Sequence, residues 1–254
     1  MRSWGQDLPP TFPAPPILAS MRPLGGFSHW KGMAIEVERN GATEAWYFSD
    51  SGFHTSPLDP TPASIPLGPI TPIYRLLGSQ QHLHPWEKVL AVSLLALSLT
   101  VGLFRHAPAT GFFLTTGFIL GTLLLRFTPA FRWHALEHKV IHVLASPDLP
   151  RNPEAMEEAI YEASPLHPGC GTNFWAAFFL LSLPAFYFLP TTGGLLASLL
   201  GAYALWRAGL TQHLTPLQWL VLAPPHPNQV KAVAQHLVRH LEALSQGEPA
   251  PFHT

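Results

Sequence analysis

Residues 86–104 read WEKVLAVSLLALSLTVGLF, and residues 111–127 read GFFLTTGFILGTLLLRF. No charged residue lies between positions 89 and 103. An apolar helix needs about 20 residues to cross a bilayer core, within a usual range of roughly 17–25. Both stretches meet that length narrowly. Two more apolar stretches follow at 174–190 and 193–206. Pro184, Pro190, Gly193 and Gly194 interrupt this pair, which suits either a re-entrant hairpin or two short helices. Charged residues make up 11% of the 254-residue chain, less than half the share of roughly 25% in ordinary soluble domains.

The basic residues follow the same plan. Arg2, Arg22, Lys31, Arg39 and Arg75 precede the first apolar stretch, four more lie within 126–151, and Arg207, Lys231 and Arg239 follow the fourth. Only Arg105 lies between the first and second stretches, and no basic residue lies between the third and fourth. Crossing in pairs puts every basic region on one side, which the positive-inside rule makes the cytoplasm. The expectation is a mainly α membrane protein with about four hydrophobic helical segments, multi-pass, with its polar regions facing the cytoplasm and the lipid bilayer as its first partner. Residues 1–16 hold one arginine and several prolines but no apolar run of signal-peptide length, so targeting is expected to come from the internal segments.

Outward from the spans, the chain divides by composition. Residues 1–23 form a proline-rich tail, and 57–85 a second proline-rich linker with an interfacial segment. Between them, 24–56 is expected to hold a small β-hairpin. Residues 33–39 alternate, and Asn40-Gly41 is a two-residue type I′ turn signal. Pairing Arg39 with Ala42 places Val37 opposite Glu44, Ile35 opposite Trp46 and Met33 opposite Phe48, with these five apolar residues on one face and Glu36 and Glu38 on the other. Two strands alone are marginal in water, so that face is expected to pack on either further strands near Gly25-Gly26 or the membrane-proximal body. Residues 86–210 are assigned to the membrane helices, with a metal-site loop at 128–173. Residues 211–254 are assigned to a C-terminal amphipathic helix and tail, since Val230, Val233, Leu237, Leu241 and Leu244 recur at spacings of three and four.

The loop between the second and third apolar stretches carries the chemistry. A helix is expected from about Pro129 to Leu144, with Pro129 in its first turn. His134, His138 and His142 are spaced four apart and share one face. His134-Ala-Leu-Glu137-His138 matches H-x-x-E-H, in which two histidines hold one metal and the glutamate serves as general base towards water. Further on, His167-Pro-Gly-Cys170-Gly offers an imidazole and the only thiol of the chain. Glycines on either side of Cys170 let the backbone turn tightly. The candidate metal ligands are therefore His134, His138, His142, His167 and Cys170, the candidate catalytic base is Glu137, and the expected cofactor is a transition metal, zinc by donor type. Other readings of the same residues stand beside this one. The three helical histidines suit an interfacial stripe, Glu137 a helix ion pair, and Cys170 a small packing residue.

The remaining histidines are weaker candidates. His82 and His84 read as interfacial, and His236 with His240 as a solvated pair on the tail helix. Glu154, Glu157, Glu158 and Glu162 make a solvent-facing acidic helix. One cysteine excludes an internal disulfide, and a net charge of −1 offers no basic surface for nucleic acid.

HALEHKVIH at 134–142 followed by HPGCGT at 167–172 resembles the DUF1385 family, the YqhQ-like bacterial membrane proteins. Gly25, Gly26 and Gly32 resemble its N-terminal G-G-x-x-x-x-x-G segment, and the helix at 228–244 sits where the family has a similar one. The resemblance implies the bacterial cytoplasmic membrane and a predicted metal-dependent enzyme without a settled reaction. Carried over by position, it implicates His134, Glu137, His138, His142, His167 and Cys170. Two positions depart from the pattern. Lys31 stands where the family has a glutamate, and Leu205-Trp206-Arg207 lies where it tends to have Ser-Tyr-Glu.

Three functions compete at this stage. One is a zinc-dependent hydrolase acting on an amide, ester or phosphoester at the cytoplasmic membrane face. Another is a structural metal staple in an accessory or regulator of a membrane-protein partner, or in a homo-oligomer. The third is a metal sensor or transporter, which the near absence of ionisable residues within the spans disfavours.

Overall fold

A computed structural model describes residues 21–57, 126–189 and 191–246, with the helical pairs 116–117, 120–121 and 123–124. Residues 1–20 of the proline-rich tail expected at 1–23, residues 58–85 of the linker expected at 57–85, with His82 and His84, and the first apolar stretch at 86–104 lie outside the described residues; residues 21–23 and 57 belong to strands instead.

The first element is an antiparallel sheet of four strands in chain order: β1 (Met21–His29), β2 (Gly32–Arg39), β3 (Ala42–Ser49) and β4 (Gly52–Pro57). The central hairpin has the register that its alternation dictates, with Arg39 opposite Ala42, Val37 opposite Glu44, Ile35 opposite Trp46 and Met33 opposite Phe48. Its turn has φ 52° at Asn40 and φ 79° at Gly41, the positive values a type I′ turn requires. Beyond the hairpin, β1 pairs with β2 through a bulge between Pro23 and Gly25, and β4 pairs with β3. Two strands with one apolar face are marginal in water. Here the flanking strands extend that face, and Met33, Ile35, Val37, Trp46 and Phe48 are all buried.

From Pro129 onward, five α-helices and one 3-10 helix follow among the described residues. They are α1 (Pro129–Leu144), α2 (Pro153–Glu162), α3 (Gly171–Phe188), α4 (Thr191–Arg207), the 3-10 helix Leu210–Leu220 and α5 (Pro227–Ser245). Asn152 caps α2, its side chain accepting the Ala155 N–H at 2.7 Å, with Pro153 opening the helix. Gly209, at φ 71°, ends α4 and turns the chain into the 3-10 helix.

These elements form two compact units. One comprises Met1–Pro60, Leu136–Pro165 and Pro224–Thr254. In it α5 buries Val230, Val233, Ala234, Leu237, Val238, Leu241 and Leu244 and packs on α2, which buries Met156 and Ile160. It also meets the sheet, with the His240 ring edge-on to Trp46 at 4.6 Å and 5.0 Å from Phe53. His240 is thus buried, at 3% exposure, which corrects the reading of His236 and His240 as a solvated pair. The apolar stripe was right, but its edge is covered by the sheet, which periodicity along one helix cannot reveal.

The other unit comprises Thr61–Ala135 and Leu166–Ala223. In it α3, α4 and the 3-10 helix pack around Phe174, Ala177 and Ala202, with Trp175, Phe178, Leu181, Leu205, Trp206 and Leu214 at the margin. Leu180, Leu183, Tyr187 and Phe188 of α3 and Leu196, Leu199, Leu200 and Tyr203 of α4 remain exposed.

The expectation of a mainly helical, multi-spanning protein is corrected here. Among the described residues a single helix, α3, is long and apolar enough to cross a membrane. The 17 residues of α4 give about 25 Å of helix, short of a hydrocarbon core of about 30 Å. The hairpin is the middle of a four-stranded sheet, and α5 belongs to a packed core. The fold class fails because local hydropathy does not distinguish a span from a helix that buries one side in protein.

Candidate metal centre

Helix α1 supplies the frame. Its four-residue spacing puts His134 and His138 one turn apart on one face. The third donor arrives from the tight turn before α3. Cys170 is the N-cap of α3 in an extended conformation, its sulfur accepting the Thr172 N–H at 3.4 Å and lying 3.2 Å from Thr172 Oγ1. A helix N-terminus favours negative charge at that point. His134 Nε2 lies 3.3 Å from Cys170 Sγ. Nitrogen donors of His134 and His138 and the Cys170 sulfur all lie within 4.8 Å of one another, a group that can hold a metal ion.

The donor chemistry fits a soft divalent metal. Two imidazoles and a thiolate are zinc ligands. His138 is 1% exposed, and its Nδ1 lies 2.6 Å from the Pro165 carbonyl oxygen. A carbonyl only accepts, so Nδ1 carries the hydrogen and Nε2 keeps its lone pair for a metal.

Glu137 is buried beside β1. A Cβ at Gly26 would come 3.0 Å from its Cγ and 3.0 Å from its Oε1, so the carboxylate packs where a glycine leaves room. His142 is half-buried further along α1 and lines a cavity of about 320 Å³ with Ser146, Asp148 and Glu162. His167 lies over Gly169, its Cε1 3.1 Å from the position of an added Cβ. Neither His142 nor His167 belongs to the three-donor group.

Three residues that the sequence reading passed over hold this region in place. Gln218 of the 3-10 helix is fully buried and accepts the His167 N–H at 2.9 Å while donating to the His167 carbonyl at 2.7 Å and to Asn173 Oδ1 at 2.9 Å. Asn173 in turn donates to the Pro168 carbonyl at 2.9 Å. Lys139, 8% exposed, donates to the carbonyls of Ile160, Tyr161 and Ala163, and burial lowers its ammonium pKa from the usual lysine value. One signal was available for Lys139. It follows Leu136 by three positions and precedes Val143 by four, inside the apolar stripe of α1.

With this geometry in view, comparison with known proteins is informative. The family model described as a protein of unknown function, DUF1385, matches residues 87–217. The chain belongs to the DUF1385 family. The matched region contains all six residues proposed from the sequence, His134, Glu137, His138, His142, His167 and Cys170, whereas the sheet and α5 of this DUF1385 protein lie outside it. No curated protein and no solved structure matches the chain.

Proposed function

We propose that this DUF1385 protein is a membrane-associated, zinc-dependent hydrolase in which His134, His138 and Cys170 hold the metal and Glu137 acts as general base. The observation that carries the reading is the number of donors brought together among the described residues, three within 4.8 Å. Structural zinc sites use four protein ligands, whereas catalytic sites use three and keep a position open. Bound there, the metal would polarise an ester, amide or phosphoester and lower the pKa of water. Glu137, buried and one residue before His138, would take the proton of the attacking water and return it to the leaving group. Helix α3 and the exposed apolar side chains of α3 and α4 would seat the protein on a lipid bilayer.

Burial favours a second reading. His138 at 1% and Cys170 at 8% exposure suit a structural metal that pins the Cys170 turn to α1, in a protein that serves a membrane-protein partner or its own oligomer. No role in binding nucleic acid is proposed.

Cobalt substitution separates the two without a known substrate. A tetrahedral Co²⁺ site with a Cys170 charge-transfer band, whose visible spectrum changes on adding azide, supports the open, catalytic site. A cobalt spectrum indifferent to azide supports the staple. Absence of stoichiometric Zn²⁺ or Co²⁺ binding by the detergent-purified protein sinks both.

A further inference from the structure

Adjacent residues of α1 grip one short segment at both ends. Lys139 donates to the carbonyls of Ile160 at 3.2 Å, Tyr161 at 2.8 Å and Ala163 at 2.5 Å. An ammonium has three N–H donors and no acceptor, so these three carbonyls use its full capacity. They lie at the C-terminus of α2, where carbonyl groups lack helical partners and the helix dipole favours a cation. At Ala163 the chain leaves the helix with ψ 146°. Two residues later the Pro165 carbonyl meets His138 Nδ1 at 2.6 Å. Burying a lysine without a carboxylate partner is costly, and sequence periodicity would have placed an apolar residue there.

We propose that Lys139 is the positioning residue of the metal centre: its ammonium gathers the carbonyls that end α2 and so holds the Pro165 carbonyl where it fixes His138 as the Nδ1–H tautomer. With the hydrogen on Nδ1, the ring's lone pair lies on Nε2, the nitrogen that would ligate a metal. Removing the ammonium takes away the donor shared by the buried Ile160 carbonyl and the part-buried Tyr161 and Ala163 carbonyls, the turn to Pro165 relaxes, and the ring carries its hydrogen on either nitrogen. This deepens the metal reading given above, yet its first readout needs no metal.

The test uses the full-length chain in detergent, labelled with ¹⁵N-histidine and freed of metal by chelation. Long-range ¹H–¹⁵N correlation reads the His138 tautomer, assigned by loss of its signals in His138→Asn. The wild type should show Nδ1–H alone. Lys139→Met, which keeps the aliphatic stem, should show mixed tautomers with unchanged far-UV circular dichroism, and Lys139→Arg should restore Nδ1–H. Zinc affinity in Lys139→Met should fall about 10–100-fold, the range for loss of a ligand-orienting partner. A single Nδ1–H tautomer in Lys139→Met overturns the proposal and leaves the metal reading standing. A mixed tautomer in that variant, together with no metal binding by the wild type, upholds the positioning role and sinks the metal reading. Failure of both Lys139 variants to fold makes Lys139 a residue of the fold and also overturns the proposal.

Discussion

Gln218 holds the backbone of His167 by both its polar groups: the amide oxygen accepts the His167 N–H at 2.9 Å, and the amide nitrogen donates to the His167 carbonyl at 2.7 Å. The two residues are 51 apart in the chain, and Gln218 is fully buried. Replacing it by alanine strands those groups and the Asn173 side-chain oxygen in the interior. A buried polar group left without a partner costs about 1–3 kcal/mol. Gln218→Ala should therefore lower stability by roughly 2–4 kcal/mol, seen as a clear drop in melting temperature in detergent. An unchanged melting temperature would show that water replaces the amide.

The ligand set makes a sharper prediction. His138→Ala and Cys170→Ser should each weaken zinc binding by roughly 100-fold or more, beyond the effect of a lost orienting partner. His142→Ala and His167→Ala should each leave it within a few-fold, because neither donor joins the group of three. Competitive titration against a chromogenic chelator measures all four. Equal loss in His167→Ala would make the site a closed one with four ligands.

Gly26 leaves the space that Glu137 occupies. A Cβ there would lie 3.0 Å from Glu137 Cγ and 2.5 Å from the Ala34 carbonyl oxygen. The second contact is backbone on the neighbouring strand and cannot swing aside. Gly26→Ala should cost about 1–3 kcal/mol, typical of overpacking. Hydrogen exchange should locate the damage in β1 and β2. Exchange rates there equal to the wild type would show that the strand accommodates the methyl group.

His240 should make the protein acid-sensitive. Burial is the main cause that lowers its pKa to about 4, with Arg39 lowering and Glu44 raising it. Both ring nitrogens are buried without hydrogen-bond partners among the described residues. The unfolded chain takes up a proton near pH 6.5, whereas the folded one does so near pH 4. Stability is therefore complete above about pH 6.5, falls as pH drops towards about 4, and levels off below, a total of about 3 kcal/mol. Burial and the nearby charge of Arg239 lower His236 as well, which adds in the same direction. Thermal melts at pH 7.5 and 4.5 should show the loss in the wild type and a smaller one in His240→Leu. An identical acid loss in both proteins would place the sensitivity elsewhere.

The fold was legible where it is local. The Asn40-Gly41 turn and the alternation around it set the hairpin register, because a slip by one residue would send each apolar side chain to the wrong face. The helix from Pro129 to Leu144 and the stripe of α5 were also readable, each from spacing along one element. The strand β4 was not, and β1 was legible only as one of two ways to cover the hairpin's apolar face, a further strand near Gly25-Gly26. Gly25, Gly26, Pro23 and Ser28 in β1, and His54, Thr55 and Ser56 in β4, give little apolar alternation, and these segments become strands by pairing with the hairpin. The multi-span expectation failed for the opposite reason. It read long apolar runs as spans, although Phe174, Ala177 and Ala202 bury their side chains against protein.

By itself, the sequence determined the elements whose information lies within one turn of helix or one hairpin, including the pairing of His134 with His138, since helical geometry alone places residues four apart on one face. Only the tertiary structure decided that Cys170, 36 positions after His134, completes the donor group, that Lys139 and Gln218 spend buried polar groups on backbone carbonyls and amides, and that His240 is enclosed by Trp46 and Phe53. These relations depend on which elements pack together. That choice minimises exposed apolar surface and unpaired polar groups over the whole chain, so no single segment carries it.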